Sequence, residues 1–246
     1  MNLDLIVIIL SIVFIAALTR STFGFGDALI AMPLLALFID IKIATPLMAL
    51  IAFFIAISIL IKNWKNIEFK SAWRLIVSSL VGIPIGIWYL DDINENIIKL
   101  TLGIIVLLFA AYNLAKPKLY YLKSEKYAWI FGFIAGILGG AYNTNGPPIV
   151  IYSSLKKWNP QNFRATLQGY FFTTGILLVI SHGIAGNYTN EVLVYFAYCL
   201  PVTLVAVLIG ARLNKKIPII KFHKYIYMIL IVLGFMLIYN SIVNLI

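Results

Sequence analysis

Ten apolar runs fill most of this 246-residue chain, at 3–22, 27–39, 43–61, 72–90, 98–115, 127–142, 146–155, 163–185, 192–210 and 223–245. Most have the length a helix needs to cross ~30 Å of hydrocarbon, roughly 17–25 residues. Three of them, 27–39, 127–142 and 146–155, are short for a full crossing. Composition points the same way. The chain is 62% hydrophobic and 11% charged, with a mean hydropathy of +0.98, whereas a soluble domain is about a quarter charged. The polar linkers leave no room for a soluble domain, so residues 1–246 read as one integral-membrane domain of all-α class. The first run opens with Asp4 rather than a basic stretch and has no small-residue cleavage pattern after it, so it reads as a helix of the mature protein. The one cysteine, Cys199, falls inside a run, which excludes a disulfide framework and a cysteine-based metal cluster.

Charge in the linkers alternates in sign. Segments 62–74, 116–126, 156–164 and 212–224 carry an excess of Lys and Arg, while 91–99 and 186–191 are acidic. The positive-inside rule puts the basic segments on the cytoplasmic side and the acidic ones outside. That assignment works only if 127–155 begins and ends inside, as a hairpin turning at Asn143–Gly146, and 3–39 begins and ends outside, turning at Gly24–Gly26. The two halves then match in order: a broken, re-entrant hairpin followed by three transmembrane helices. Tyr112-Asn113 late in the first half corresponds to Tyr239-Asn240 late in the second. The expected architecture is a pair of inverted repeats, 1–115 and 127–246, joined by a linker at 116–126. This arrangement recurs among secondary transporters. Trp73, Trp88, Tyr89 and Trp129 fall near the expected interfaces with the lipid bilayer. The net charge of +10 is the ordinary excess of cytoplasmic loops. Nothing remains in the chain to fold into a nucleic-acid reader, and a homodimer is compatible with the sequence.

Two polar interruptions carry the functional signal. One is Arg20-Ser-Thr-Phe-Gly-Phe-Gly-Asp27 and the other Tyr142-Asn-Thr-Asn-Gly-Pro-Pro148. Broken backbone at membrane depth is tolerated only against protein or a water-filled cavity. A helix restarting there exposes free N–H groups and the positive end of its dipole, which together bind anions. Gly24 and Gly26 permit unusual dihedrals, and Pro147-Pro148 suit a first helical turn. Substrate-binding candidates are Arg20, Ser21, Thr22, Gly24, Phe25 and Gly26 from the first break, and Asn143, Thr144, Asn145, Gly146 and Pro147 from the second. Gln168 joins them from a later span. The bland alternative is that the glycines serve close helix packing.

Arg20 is the central side chain. An arginine deep in a span costs at least ~2.5–3.5 kcal/mol and marks a functional site by default. Its fork matches oxyanions, although snorkelling or an ion pair with Asp27 would also account for it. Asp27 and His182 are the candidates for proton coupling, against a helix cap for Asp27 and an interfacial position for His182. No metal cluster, nucleophile elbow or phosphate loop is present in the sequence, so neither an enzyme nor a resident cofactor is expected. The expected activity is secondary transport of a small anion by alternating access. An anion channel, or a membrane enzyme or assembly subunit that transports nothing, are the other classes.

These stretches resemble the TauE/SafE family of sulfite and organosulfonate exporters. The matching pieces are Gly24–Pro33, Gly139–Pro148, Trp158–Thr166 and Gly210–Leu213. The resemblance covers essentially the whole chain. It implies a multi-pass protein of the bacterial inner membrane that exports sulfur-containing anions such as sulfite, sulfoacetate and related sulfonates. The first motif commonly continues glycine-glycine where this chain has Gly26-Asp27.

Overall fold

The computed structural model describes residues 3–63, 69–115, 121–158, 160–214 and 219–245. Residues 64–68, 116–120, 159 and 215–218, which belong to the basic segments, lie outside the described residues. Ten helices and no strand are found among the described residues. They are α1 (Leu3–Phe23), α2 (Asp27–Leu35), α3 (Ile41–Asn63), α4 (Phe69–Asp92), α5 (Glu95–Ala115), α6 (Tyr127–Tyr142), α7 (Gly146–Leu155), α8 (Pro160–Ile184), α9 (Asn190–Leu213) and α10 (Ile219–Val243). Seven are long and apolar enough to cross a membrane: α1, α3, α4, α5, α8, α9 and α10. The three runs that are short for a crossing become α2, α6 and α7, and each expected run corresponds to one helix.

Two helix ends differ most: α10 begins at Ile219 rather than 223, and α2 stops at Leu35 rather than continuing to 39. The N–H groups of Leu37 and Phe38 bond to the carbonyls of Leu34 and Leu35 in tight turns. Asp40 then starts α3, its carboxylate accepting from Lys42 N at 2.7 Å, as an N-cap does.

Packing is organised around a central α3–α8 contact. To one side α4 lies against α6 and also against α8; to the other, α9 lies against α1 and also against α3. The pair α5–α10 sits beside this core and reaches it mainly through α2, α3 and α4. Hydrocarbon offers no hydrophobic drive between helices, so close backbone approach has to hold them together. The α4–α6 seam is built for that. Gly82 and Gly86 on α4 face Gly136 and Gly140 on α6, Gly132 lies against Leu75 and Ser78, and a methyl group at Gly136 would lie 2.5 Å from the Ser79 carbonyl oxygen. The Ser79 hydroxyl donates across the same seam to Gly132 O at 2.8 Å. In the α1–α9 seam Gly210 abuts Ser21. In α5–α10, Gly103 and Gly234 face one another.

The two ends of the bundle gather different chemistry. At one, Lys42 Nζ donates to Asp91 O at 2.5 Å and Asn187 donates to Asp91 Oδ1 at 3.1 Å. At the other, Lys156 pairs with Glu125 at 2.5 Å, Tyr152 donates to the same carboxylate and Arg74 approaches it to 3.9 Å. The Lys156 hydrogen bond, helped by Tyr152 and by both positive charges, holds the Glu125 carboxyl below its ordinary range. The exposed apolar side chains, among them Val81, Ile85, Leu108, Val232 and Phe235, form the face offered to lipid.

Candidate functional site

The first break is made by the end of α1. Its last turns carry Thr19, Arg20, Ser21 and Thr22, all buried. The hydroxyls of Ser21 and Thr22 donate to Ala17 O at 2.6 Å and Leu18 O at 2.7 Å, the usual way an apolar helix absorbs such groups. Their protons are therefore engaged by α1 itself. The helix closes with Gly24 N on Arg20 O at 2.7 Å. Gly24 and Gly26 then take φ values of 92° and 101°, in the left-handed region that a side chain strongly disfavours. Buried Phe25 stands between them, edge-on to Phe163. From α8, Gln168 Nε2 donates to Gly24 O at 2.7 Å, satisfying a carbonyl freed by the break.

Asp27 was expected as a possible cap of α2, but the cap position falls on Gly26 and has no side-chain hydrogen bond. The Asp27 carboxylate turns back instead to Arg20, Nη1 to Oδ2 at 2.7 Å, with both side chains almost wholly buried. The ion pair named as an alternative for Arg20 is thus present. It leaves the guanidinium incomplete: Nε and Nη2 are buried and have no hydrogen-bond partner among the described residues. The Arg20 Cζ lies 4.6 Å above the ring of Phe171. A buried donor left unpaired costs about 1–3 kcal/mol, more when charged, and here two of them share an edge that can grip an oxyanion with two parallel bonds.

The second break is made differently. Asn143 takes φ 51°; its N–H bonds to Gly139 O at 2.8 Å and that of Thr144 to Leu138 O at 3.0 Å. The Asn143–Gly139 bond is that of a left-handed helix ending, with Asn in the place of Gly. Side chains then fasten the loop to its neighbours. Asn143 Nδ2 donates to Met48 O at 3.0 Å, Asn145 Nδ2 to Thr174 Oγ1 at 3.2 Å, and Thr45 Oγ1 to Ala141 O at 3.3 Å. Thr144 bonds to the carbonyl of Tyr142, whose phenol meets Thr101. Buried Pro147 and Pro148 open α7. Having no N–H, they leave Gly146 as the principal free donor of that first turn, so α7 offers an anion its dipole more than a cradle of amides.

The two breaks meet on α8. Gln168, Phe171 and Thr174 recur every three residues, which places them on one side of the helix. Gln168 holds the first break and Thr174 the second. Phe171 lies between them, under Arg20 and within 3.6 Å of where a Gly146 side chain would begin. Arg20 and Gly146 therefore meet at one aromatic ring, with Asp27 joined to it through Arg20, Gly24 held by Gln168 one turn before it and Asn145 held by Thr174 one turn after. His182 does not join them. It sits eleven residues past Phe171, on the order of 16 Å of helix rise, fully buried and with Nδ1 3.2 Å from Asn187. Sequence reading missed Phe171 and Thr174. The signal available was their spacing from Gln168.

The family model described as "Sulfite exporter TauE/SafE" matches residues 9–237. The chain belongs to the TauE/SafE family. It is also similar to a protein of Cupriavidus necator described as a probable sulfite/organosulfonate exporter TauE, with 24% identity over 148 residues. That match covers 57% of this chain and 58% of the relative, less than two thirds of the relative's length. No solved structure matches the chain. Family membership and seven membrane-crossing helices make this TauE/SafE protein a multi-pass protein of the bacterial inner membrane.

Proposed function

We propose that the protein is a secondary transporter that exports a small sulfur oxyanion, a sulfonate or sulfite, by alternating access at a site around Arg20 and Phe171. The observation that carries this reading is the buried, unpartnered Nε–Nη2 edge of Arg20. A guanidinium fork matches the paired oxygens of a sulfonate face. The start of α7 borders the same ring, and α2 begins at Asp27 on Arg20 itself, so the positive ends of two helix dipoles lie beside the guanidinium. The exporter name borne by the Cupriavidus relative agrees with this substrate class.

Alternating access rests on reading the halves as inverted repeats. Exchanging α1–α5 for α6–α10 turns the α1–α9 contact into α6–α4 and α3–α9 into α8–α4. It leaves α3–α8 and α5–α10 unchanged. Pairing of this kind gives one central site two equivalent ways of being exposed.

The test is thermal stabilisation of the purified protein by sulfite, sulfoacetate, taurine, acetate, sulfate and thiosulfate. A ligand that binds only the native state at about one hundred times its Kd adds about 2.7 kcal/mol. The expected result is a shift with sulfite or sulfoacetate that Arg20→Ala abolishes. A shift that survives Arg20→Ala would remove Arg20 from the site, and no shift with any sulfur anion would remove the substrate class.

A further inference from the structure

We infer that an anion bound on the free edge of Arg20 crosses the membrane together with one proton carried by Asp27. The inference rests on the transport reading above and adds its coupling.

Charge balance is the argument. Inside the bundle, Arg20 and Asp27 are the only buried acidic or basic side chains among the described residues, His182 aside. Their pair, at 2.7 Å, is neutral as it stands. Asp27 occupies Nη1 alone, while Nε–H and Nη2–H, which share one edge of the planar guanidinium, are unpartnered. An incoming oxyanion can therefore dock without displacing Asp27. The interior would then hold two anions against one cation, away from water, which strongly disfavours leaving both charged. A proton on Asp27 restores neutrality. Its carboxyl then keeps a hydrogen-bonding role while the anion takes over as counter-charge to Arg20. When the anion leaves, the proton leaves and the original pair re-forms. No covalent bond is made or broken; the proton enters from one aqueous phase with the anion and departs to the other.

Among the described side chains, the elements packed on α2 bring no further charge to this pair. From α1 the facing group is Arg20 itself. From α10 it is Tyr227, which shares with Gly26, Thr19 and Leu29 the wall of a void of about 10 Å³, room for roughly one water. The lysines of α3, Lys42 and Lys62, stand at its two ends, and α5 carries Glu95 and Lys99 paired with each other in its first turns and Tyr112 in its last.

The test uses the full-length protein in proteoliposomes with methanesulfonate, a sulfonate whose charge does not change near neutrality, and sulfite as a second probe. In the wild type, methanesulfonate entering down its own gradient is expected to acidify the lumen by one proton per anion. An imposed gradient of one pH unit should change accumulation about tenfold. A potassium diffusion potential should leave the flux unchanged, because the pair moves no net charge. Asp27→Asn removes the proton site; its flux is expected to lose the response to the pH gradient and to become sensitive to the diffusion potential. Asp27→Glu is expected to restore the proton response. Wild-type flux without proton movement, or flux driven by the diffusion potential, would overturn the coupling and leave the transport reading intact. Persistence of the pH response in Asp27→Asn would do the same. Absence of both methanesulfonate and sulfite flux in the wild type would overturn the transport reading and the coupling with it.

Discussion

Phe171 joins two stretches of chain that lie far apart in sequence. Its ring sits under the Arg20 guanidinium at 4.6 Å and against Gly146. A desolvated cation over an aromatic face is worth about 2 kcal/mol. Phe171→Leu is therefore expected to lower stability by about 2 kcal/mol, and a double-mutant cycle with Arg20→Met should return a coupling of about 1–2 kcal/mol. Thermal melts of the four proteins in one detergent measure it; simple additivity would reduce the ring to packing. At this scale the sequence was legible where a residue type is improbable in its surroundings. Arg20 stood out because a span rarely tolerates it, and Gly24 and Gly26 because a turn inside an apolar run requires left-handed backbone. Phe171 and Thr174 did not stand out, because an aromatic and a threonine in a span are ordinary and their partners are 25 to 151 residues away. The Arg20–Asp27 pair was legible only as one option, since spacing alone does not decide whether a carboxylate at the start of a helix caps that helix or turns back.

Helices were more legible than their seams. Apolar length and the two polar breaks located all ten, and Asp40 explains why α2 ends early. The α4–α6 seam went unread although its signature is written every four residues, at Gly82 and Gly86 and again at Gly132, Gly136 and Gly140. Small residues at that interval let two helix backbones touch. They attract less notice than a break because they leave hydropathy unchanged. The seam carries a direct prediction. A methyl group at Gly136 meets the Ser79 carbonyl oxygen at 2.5 Å, and backbone cannot swing aside as a side chain can. Gly136→Ala is expected to cost about 1–3 kcal/mol by overpacking. Gly183→Ala, whose methyl would meet only the Tyr188 ring at 3.6 Å, should leave the melting temperature unchanged or slightly raised. Equal melting of the two variants would mean that the seam yields and that α4 and α6 are not held by backbone contact.

For the molecule as a whole, the charge pattern and the packing bear on the same question from different directions. Acidic segments predict one aqueous side and basic segments the other. Independently, the helix ends near Asp91, Lys42 and Asn187 gather at one end of the bundle, and those near Arg74, Glu125 and Lys156 at the other. If the halves are inverted repeats, residues at the first end face out and residues at the second face the cytoplasm. Single cysteines can decide this, because the native Cys199 is fully buried within α9 and should not react. Asn94→Cys and Asn190→Cys, at exposed positions of the first end, are expected to react in intact cells with a maleimide that cannot cross the membrane. Ser124→Cys and Lys157→Cys, exposed at the second end, should react only after the membrane is opened. The comparison of Asn94 with Asn190 is the sharpest, because the first follows α4 in one half and the second follows α8 in the other. An odd number of crossings between them would put their labels on opposite sides. It would break the inversion, and the two-way exposure of one central site would lose its structural basis.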